Sequence, residues 1–162
     1  MSSGNHTYRI RIASEADSSE IACCLREAFE PYRTAYTIDA YRDTVPSDEG
    51  VGERIRKMWI FVAEAAGGGI VGTVACSRTS VDEGHLRGMA VRPEHEGTGV
   101  ARALLQRARE RLRAEGCRRV TLDTTPPLAR AARFYERSGF RKSGKIGNFF
   151  GMPLIEYVYD LE

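Results

Sequence analysis

The sequence predicts an α/β (α+β) domain with one mixed, mostly antiparallel sheet of about seven strands flanked by about four helices, in the order β-α-α-β-β-β-α-β-α-β-β. Three observations predict it. Apolar runs of strand length at residues 59–64 and 70–76 are separated by Gly67-Gly68-Gly69, the pattern of a β-hairpin. Residues 83–123 read as strand, glycine loop, helix and strand, a passage that needs a right-handed parallel crossover. The remaining apolar residues recur at helical spacing in segments closed by proline or glycine.

In chain order, residues 8–12 alternate polar and apolar as a half-buried strand does. Ser14 is placed to cap a helix over residues 15–29 with Ile21, Leu25 and Ala28 on one face, and Pro31 ends it. Residues 32–57 are irregular, with short helical pieces near 38–42 and 51–58 and a crowd of tyrosines, Tyr32, Tyr36 and Tyr41. Segments of this kind laid over a rigid sheet commonly set specificity. The hairpin follows, then a third strand over residues 83–91 that Pro93 stops. A helix over residues 98–115 puts Ala101, Leu104, Leu105, Ala108 and Leu112 on one face and closes on Gly116. Residues 119–123 form a strand, and residues 128–138 a helix whose apolar face carries Ala131, Phe134 and Tyr135 before Gly139. Strands near 140–145 and 154–159 complete the order.

The 162 residues suit one domain, expected over residues 8–162 behind a polar tail at residues 1–7. Hydrophobic residues at 42% and charged residues at 28% argue against disorder. No apolar run approaches the roughly 18 residues of a spanning helix, and no secretory apolar region follows Met1, so the expected location is cytoplasmic. A net charge of +2 points to neither nucleic acid nor membrane as a partner. Seven arginines between Arg102 and Arg119 fit a solvated helix face or a positive rim beside the glycine loop. Cys23, Cys24, Cys76 and Cys117 lack metal-ligand spacing, so reduced thiols and no metal are expected.

The segment richest in chemistry is residues 89–105, where a strand end passes through Gly97-Thr98-Gly99 directly into a helix. Glycines there free the backbone N–H groups to converge on an anion, and the helix start adds unpaired donors and the positive end of its dipole. No Gly-Lys-Ser/Thr follows, and Arg102 occupies the third-glycine position of the dinucleotide fingerprint, so neither of those phosphate motifs applies.

Two motifs narrow the choice. Val91-Arg-Pro-Glu-His-Glu96-Gly97-Thr98-Gly99-Val100-Ala101-Arg-Ala-Leu104 and, downstream, Ala131-Ala-Arg-Phe134-Tyr135-Glu-Arg-Ser-Gly139-Phe140 together resemble the GNAT superfamily of acyl-CoA-dependent N-acyltransferases over nearly the whole chain. The resemblance implies acetyl-CoA as co-substrate, its pyrophosphate on the N–H groups of Gly97, Thr98, Gly99, Val100 and Ala101, and Arg102 near an outer phosphate. It implies that the pantetheine arm lies along Met89, Ala90 and Val91, with Phe134 also on the coenzyme side. Gly88 suits a bulge that would part this strand from residues 119–123 and leave an N–H of Met89 or Ala90 to polarise the thioester carbonyl. Glu96 also falls in the coenzyme site, where the motif has Gln or Arg. A carboxylate there is expected to weaken binding unless it turns away. Leu128 stands where the later helix often begins with Asn.

Acetyl transfer to an amine needs a base for the ammonium, whose pKa is about 10.4, and an acid for the departing thiolate. The resemblance gives Tyr135 the acid's position. His85 lies four residues before Met89, where many relatives carry a glutamate, and is the first candidate base, with Glu83 its rival on the same strand face. Phe149, Phe150, Tyr157 and the Tyr32–Tyr41 region would flank the acceptor, with Asp39, Asp43 and Asp123 available to a cationic amine. The expected activity is N-acetylation of a small-molecule or peptide amine through a ternary complex. The alternative is a non-catalytic acyl-CoA-binding sensor, motivated by Glu96 and Leu128. The resemblance also leaves a homodimer open.

Overall fold

The computed structural model describes residues 8–161. The expected tail at residues 1–7 lies outside them. The sheet has seven strands: β1 (Tyr8–Ile12), β2 (Trp59–Ala65), β3 (Ile70–Arg78), β4 (Glu83–Val91), β5 (Arg119–Thr124), β6 (Arg141–Phe149) and β7 (Met152–Asp160). Their order across the sheet is β1-β2-β3-β4-β5-β7-β6, and β4 with β5 is the parallel pair among antiparallel neighbours. The helices are α1 (Ser18–Phe29), α2 (Ile38–Thr44), α3 (Asp48–Lys57), α4 (Val100–Ala114) and α5 (Ala129–Arg137). Both short pieces between α1 and β2 are helical, so that region holds one helix more than the expected order counts. Thr37 and Ser47 cap them, accepting from the N–H groups of Ala40 and Gly50.

The strands of the first hairpin read as continuous apolar runs because both sheet faces are covered. Phe61 and Ala63 of β2 join Val74, Cys76 and the α4 residues Leu104, Leu105, Ala108 and Leu112 on one face. Ile60 and Val62 point the other way, into Ile21, Leu25 and Val51 of α1 and α3. Gly84 lets α4 lie close to the sheet, since a Cβ there would sit 2.7 Å from the Leu112 side chain. Tyr135 and Phe140 belong to the α4 side, which places α5 on that same face. Cys24, Cys76 and Cys117 are buried, and burial pushes the Cys24 and Cys76 thiols up to about 12. No helix among the described residues is long and apolar enough to cross a membrane.

The feature that positions the site is a break in β4. Ala75 faces Arg87 and Thr73 faces Ala90, so Gly88 and Met89 together oppose Val74, with Gly88 at φ +62°. Pairing of β4 with β5 covers only Glu83↔Arg119 to Leu86↔Leu122. Beyond Leu86 the two strands part, and the gap opens between α4 and α5.

Candidate active site

A single cleft of about 500 Å³ runs from the glycine loop, through the gap between β4 and β5, to the aromatic region before β2. At one end the loop enters α4 through Gly97 (φ +74°) and Gly99 (φ +88°). A Cβ at either position would meet no atom within 4 Å, so it would project into the open cradle. The first bond of α4 runs from the Ala103 N–H to the Gly99 carbonyl at 3.0 Å. The N–H groups of Val100, Ala101 and Arg102 precede it and have no acceptor within the helix. Gly97, Gly99, Val100, Ala101 and Arg102 all line the cleft, as does Glu96. Thr98 does not, and its hydroxyl turns back to the His95 carbonyl.

Glu96 meets Arg130 at the start of α5, with Oε2 2.5 Å from Nη1. The carboxylate that stood out in the loop is therefore engaged by a guanidinium across the cleft. Arg130 also lines the cleft, as does Leu128, which precedes α5 without a side-chain cap.

In the gap, Met89, Ala90 and Val91 supply one wall and Phe134 and Tyr135 the other. The Arg92 N–H donates to the Val71 carbonyl of β3 at 2.8 Å. Alternation back from Arg92 then turns the Ala90 N–H towards β3 and that of Val91 towards the gap, before the bulge at Gly88–Met89 interrupts it. Of the two expected carbonyl-polarising donors, Ala90 is therefore turned away from the gap. The Tyr135 side chain packs between Phe134 and Phe140, with ring centroids at 5.4 and 5.8 Å. Burial alone raises its pKa, with neither a hydrogen bond nor a charge contributing, so the phenol keeps its proton at neutral pH.

Beyond the gap lies a polar cluster. His85 Nδ1 is 2.7 Å from Thr121 Oγ1, its register partner on β5, and Nε2 is 3.5 Å from Asp123 Oδ2. The Thr121 hydroxyl donates to the Gly84 carbonyl at 3.5 Å. Both ring nitrogens of His85 are thus engaged, Nδ1 by a hydroxyl and Nε2 by a carboxylate. Burial lowers the His85 pKa; Asp123, Glu156 and Glu83 act to raise it, and Arg87 lowers it further. Burial likewise holds the Asp123 carboxyl above its ordinary range, against the pull of His85. Both groups are pushed towards neutrality.

Glu83, the rival base, is ion-paired to Arg119 at 3.4 Å and does not line the cleft. Of the expected acceptor residues, Tyr32, Tyr36, Asp43, Asp123 and Phe149 face the cleft. Tyr41, Asp39 and Phe150 do not, and Tyr157 is buried with its hydroxyl donating to Glu136. Sequence reasoning missed Thr121, Arg130, Arg54 and Arg87. Arg87 was accessible to it in principle, since it lies two residues from His85 on one strand face. The other three come from elements whose juxtaposition only the fold supplies.

The sequence model of the acetyltransferase (GNAT) family matches residues 21–140. The chain is 37% identical over 93 residues to the mycothiol acetyltransferase of Beutenbergia cavernae, covering 57% of this chain and 26% of that protein. It is 30% identical over 112 residues to human N-acetyltransferase 8B, covering 64% of this chain and 48% of that one. The chain thus spans half or less of the length of these curated relatives. Among solved structures, PaiA N-acetyltransferase from Thermoplasma acidophilum in complex with coenzyme A is similar in fold, with TM-score 0.79 and 18% identity over 94% of this chain and 99% of that one.

Proposed function

The chain belongs to the acetyltransferase (GNAT) family, and from that premise we propose that it moves an acetyl group from acetyl-CoA to a primary amine within a ternary complex. The observation that carries this reading is the continuity of the cleft. The anion cradle, the opened gap and the His85–Asp123 pair face one space, with Tyr135 on its wall. The residues fit the coenzyme: Gly97 and Gly99 leave room for a pyrophosphate against main chain, and Arg102 stands beside them. Arg130 pairs with Glu96, so the loop carboxylate meets the phosphates already neutralised. That pairing answers the Glu96 half of the case for a non-catalytic sensor and leaves Leu128 as its remaining motive.

In the proposed reaction, the acceptor arrives as an ammonium between Asp123, which attracts the charge, and His85 Nε2, which takes one proton. The freed lone pair attacks the thioester carbonyl carbon. The oxygen becomes an oxyanion facing the Met89 N–H, and the C–S bond then breaks. Tyr135 gives its proton to the departing thiolate and regains one from the second N–H of the former amine. The products are the N-acetyl amine, the free thiol and the proton on His85, which passes to solvent.

Initial velocities measured while acetyl-CoA and amine are both varied test the reading. Intersecting double-reciprocal lines, with thiol release only when amine is present, are the expected result. Parallel lines, or coenzyme binding without thiol release across an amine panel, would overturn it.

A further inference from the structure

The acceptor half of the cleft carries more positive charge than binding an ammonium requires. Arg87 follows His85 by two residues on β4, so both side chains rise from one strand face with their Cα atoms about 7 Å apart. Arg87 Nη2 is 3.0 Å from Asp43 Oδ2. Arg54 of α3 reaches the same corner, its Nη2 donating to the Asp43 backbone carbonyl at 2.5 Å. A Cβ at Gly88 would lie 3.8 Å from Arg54 Nη1, which places the guanidinium beside the bulge. Arg87 thus holds the Asp43 carboxylate while Arg54 is left with that residue's backbone carbonyl, and both guanidiniums line the cleft. Burial and the neighbouring charge of Arg87 push Arg54 down to about 10, as an under-compensated cation requires.

We infer that the acceptor carries a carboxylate close to its amine, and that the substrate class is a free α-amino acid with an apolar or aromatic side chain; this rests on the acetyl-transfer reading. The ammonium faces Asp123 and His85 at one end of the β4 face, and the carboxylate faces Arg87 and Arg54 at the other. The two ends are near enough that the charge of Arg87 acts on both His85 and Asp123. A carboxylate suits the planar donors of arginine and would supply the second negative charge that the corner lacks. The side chain would meet Phe29, Tyr32, Tyr36 and Phe149, which close this end of the cleft. Phe29 holds Tyr32 and Tyr36 edge-on, at centroid distances of 6.4 and 6.5 Å. A peptide N-terminus or a protein lysine presents an amine without an adjacent carboxylate and would leave the guanidiniums unmatched.

The test compares phenylalanine, phenylalaninamide and 2-phenylethylamine, and the leucine and methionine equivalents, as acceptors at equal concentration of the ammonium form. In each set, kcat/KM is expected to be higher for the amino acid by about tenfold or more. Arg87→Gln should narrow that preference by lowering the amino-acid value more than the other two, and Arg87→Lys should restore part of it. Equal or better turnover of the uncharged partners, or an equal loss for all three in Arg87→Gln, would overturn the inference while acetyl transfer stands. Calorimetric titration of the same compounds into enzyme saturated with coenzyme A reads recognition without turnover. Carboxylate-dependent binding with no thiol release from acetyl-CoA would support the acceptor class and overturn the transfer reading. Absence of binding together with absence of turnover would overturn both.

Discussion

At the scale of single residues, the account turns on protons and on one ion pair. Tyr135→Phe removes the phenolic proton but leaves the ring packing, so kcat should fall about tenfold to a hundredfold with coenzyme affinity little changed. Wild-type turnover in that variant would make Tyr135 a packing residue. The proposed reaction requires neutral His85, whose pKa is lowered by burial, so the acid limb of kcat/KM should lie below the usual histidine value of about 6.5. Asp123 acts to raise that pKa, so Asp123→Asn should shift the limb to still lower pH and raise the KM of the amine. A limb unmoved by Asp123→Asn would detach the pair from the titration. Glu96→Gln should release Arg130 for the coenzyme phosphates and tighten acetyl-CoA, whereas Arg130→Gln should weaken it, both by calorimetry. The sequence shows Glu96 as a misplaced charge because its partner lies 34 positions away on another element. His85 and Tyr135 were legible because strand position and motif mark them. Thr121, which meets His85 Nδ1, was not, because a strand threonine carries no local mark of its partner.

At the scale of elements, the strand–loop–helix passage and the first hairpin follow from local chemistry that needs no partner to be read. Glycine pairs, apolar runs and Pro93 define them, and the structure places each within a residue or two. Gly99 carries two demands at once, since φ +88° is strained for any side chain and the open side is where the phosphates would lie. Gly99→Ala should therefore cost about 1–2 kcal/mol of stability in thermal unfolding and separately weaken acetyl-CoA in calorimetry. Loss of stability alone, with unchanged coenzyme affinity, would remove the cradle. The final hairpin is longer than expected. β6 is exposed along nearly its whole length and pairs only with β7, so it lacks the apolar alternation by which a buried strand announces itself. The Tyr36 hydroxyl and Thr125 Oγ1, 2.7 Å apart, and a bond from the Thr37 hydroxyl to the Phe150 carbonyl at 2.8 Å tie the segment before α2 to β5 and to that hairpin. These contacts build the acceptor wall from distant parts of the chain, so no stretch of sequence contains it.

At the scale of the whole molecule, the break in β4 organises the rest. One extra residue at Gly88–Met89 parts β4 from β5, and α4 and α5 flank the opening with the cradle at one end and the charged acceptor corner at the other. The donor half is the better readable because main-chain geometry and glycine spacing form it. The acceptor half depends on which side chains α1, α2, α3 and the β6–β7 turn bring together. The most direct measurement is the stoichiometry of the reaction: free thiol released from acetyl-CoA against N-acetyl product by mass spectrometry, with phenylalanine as acceptor. The account predicts one thiol per N-acetylphenylalanine and a rate that collapses in Tyr135→Phe and His85→Gln. Thiol release without N-acetyl product, or an unchanged rate in both variants, would contradict it.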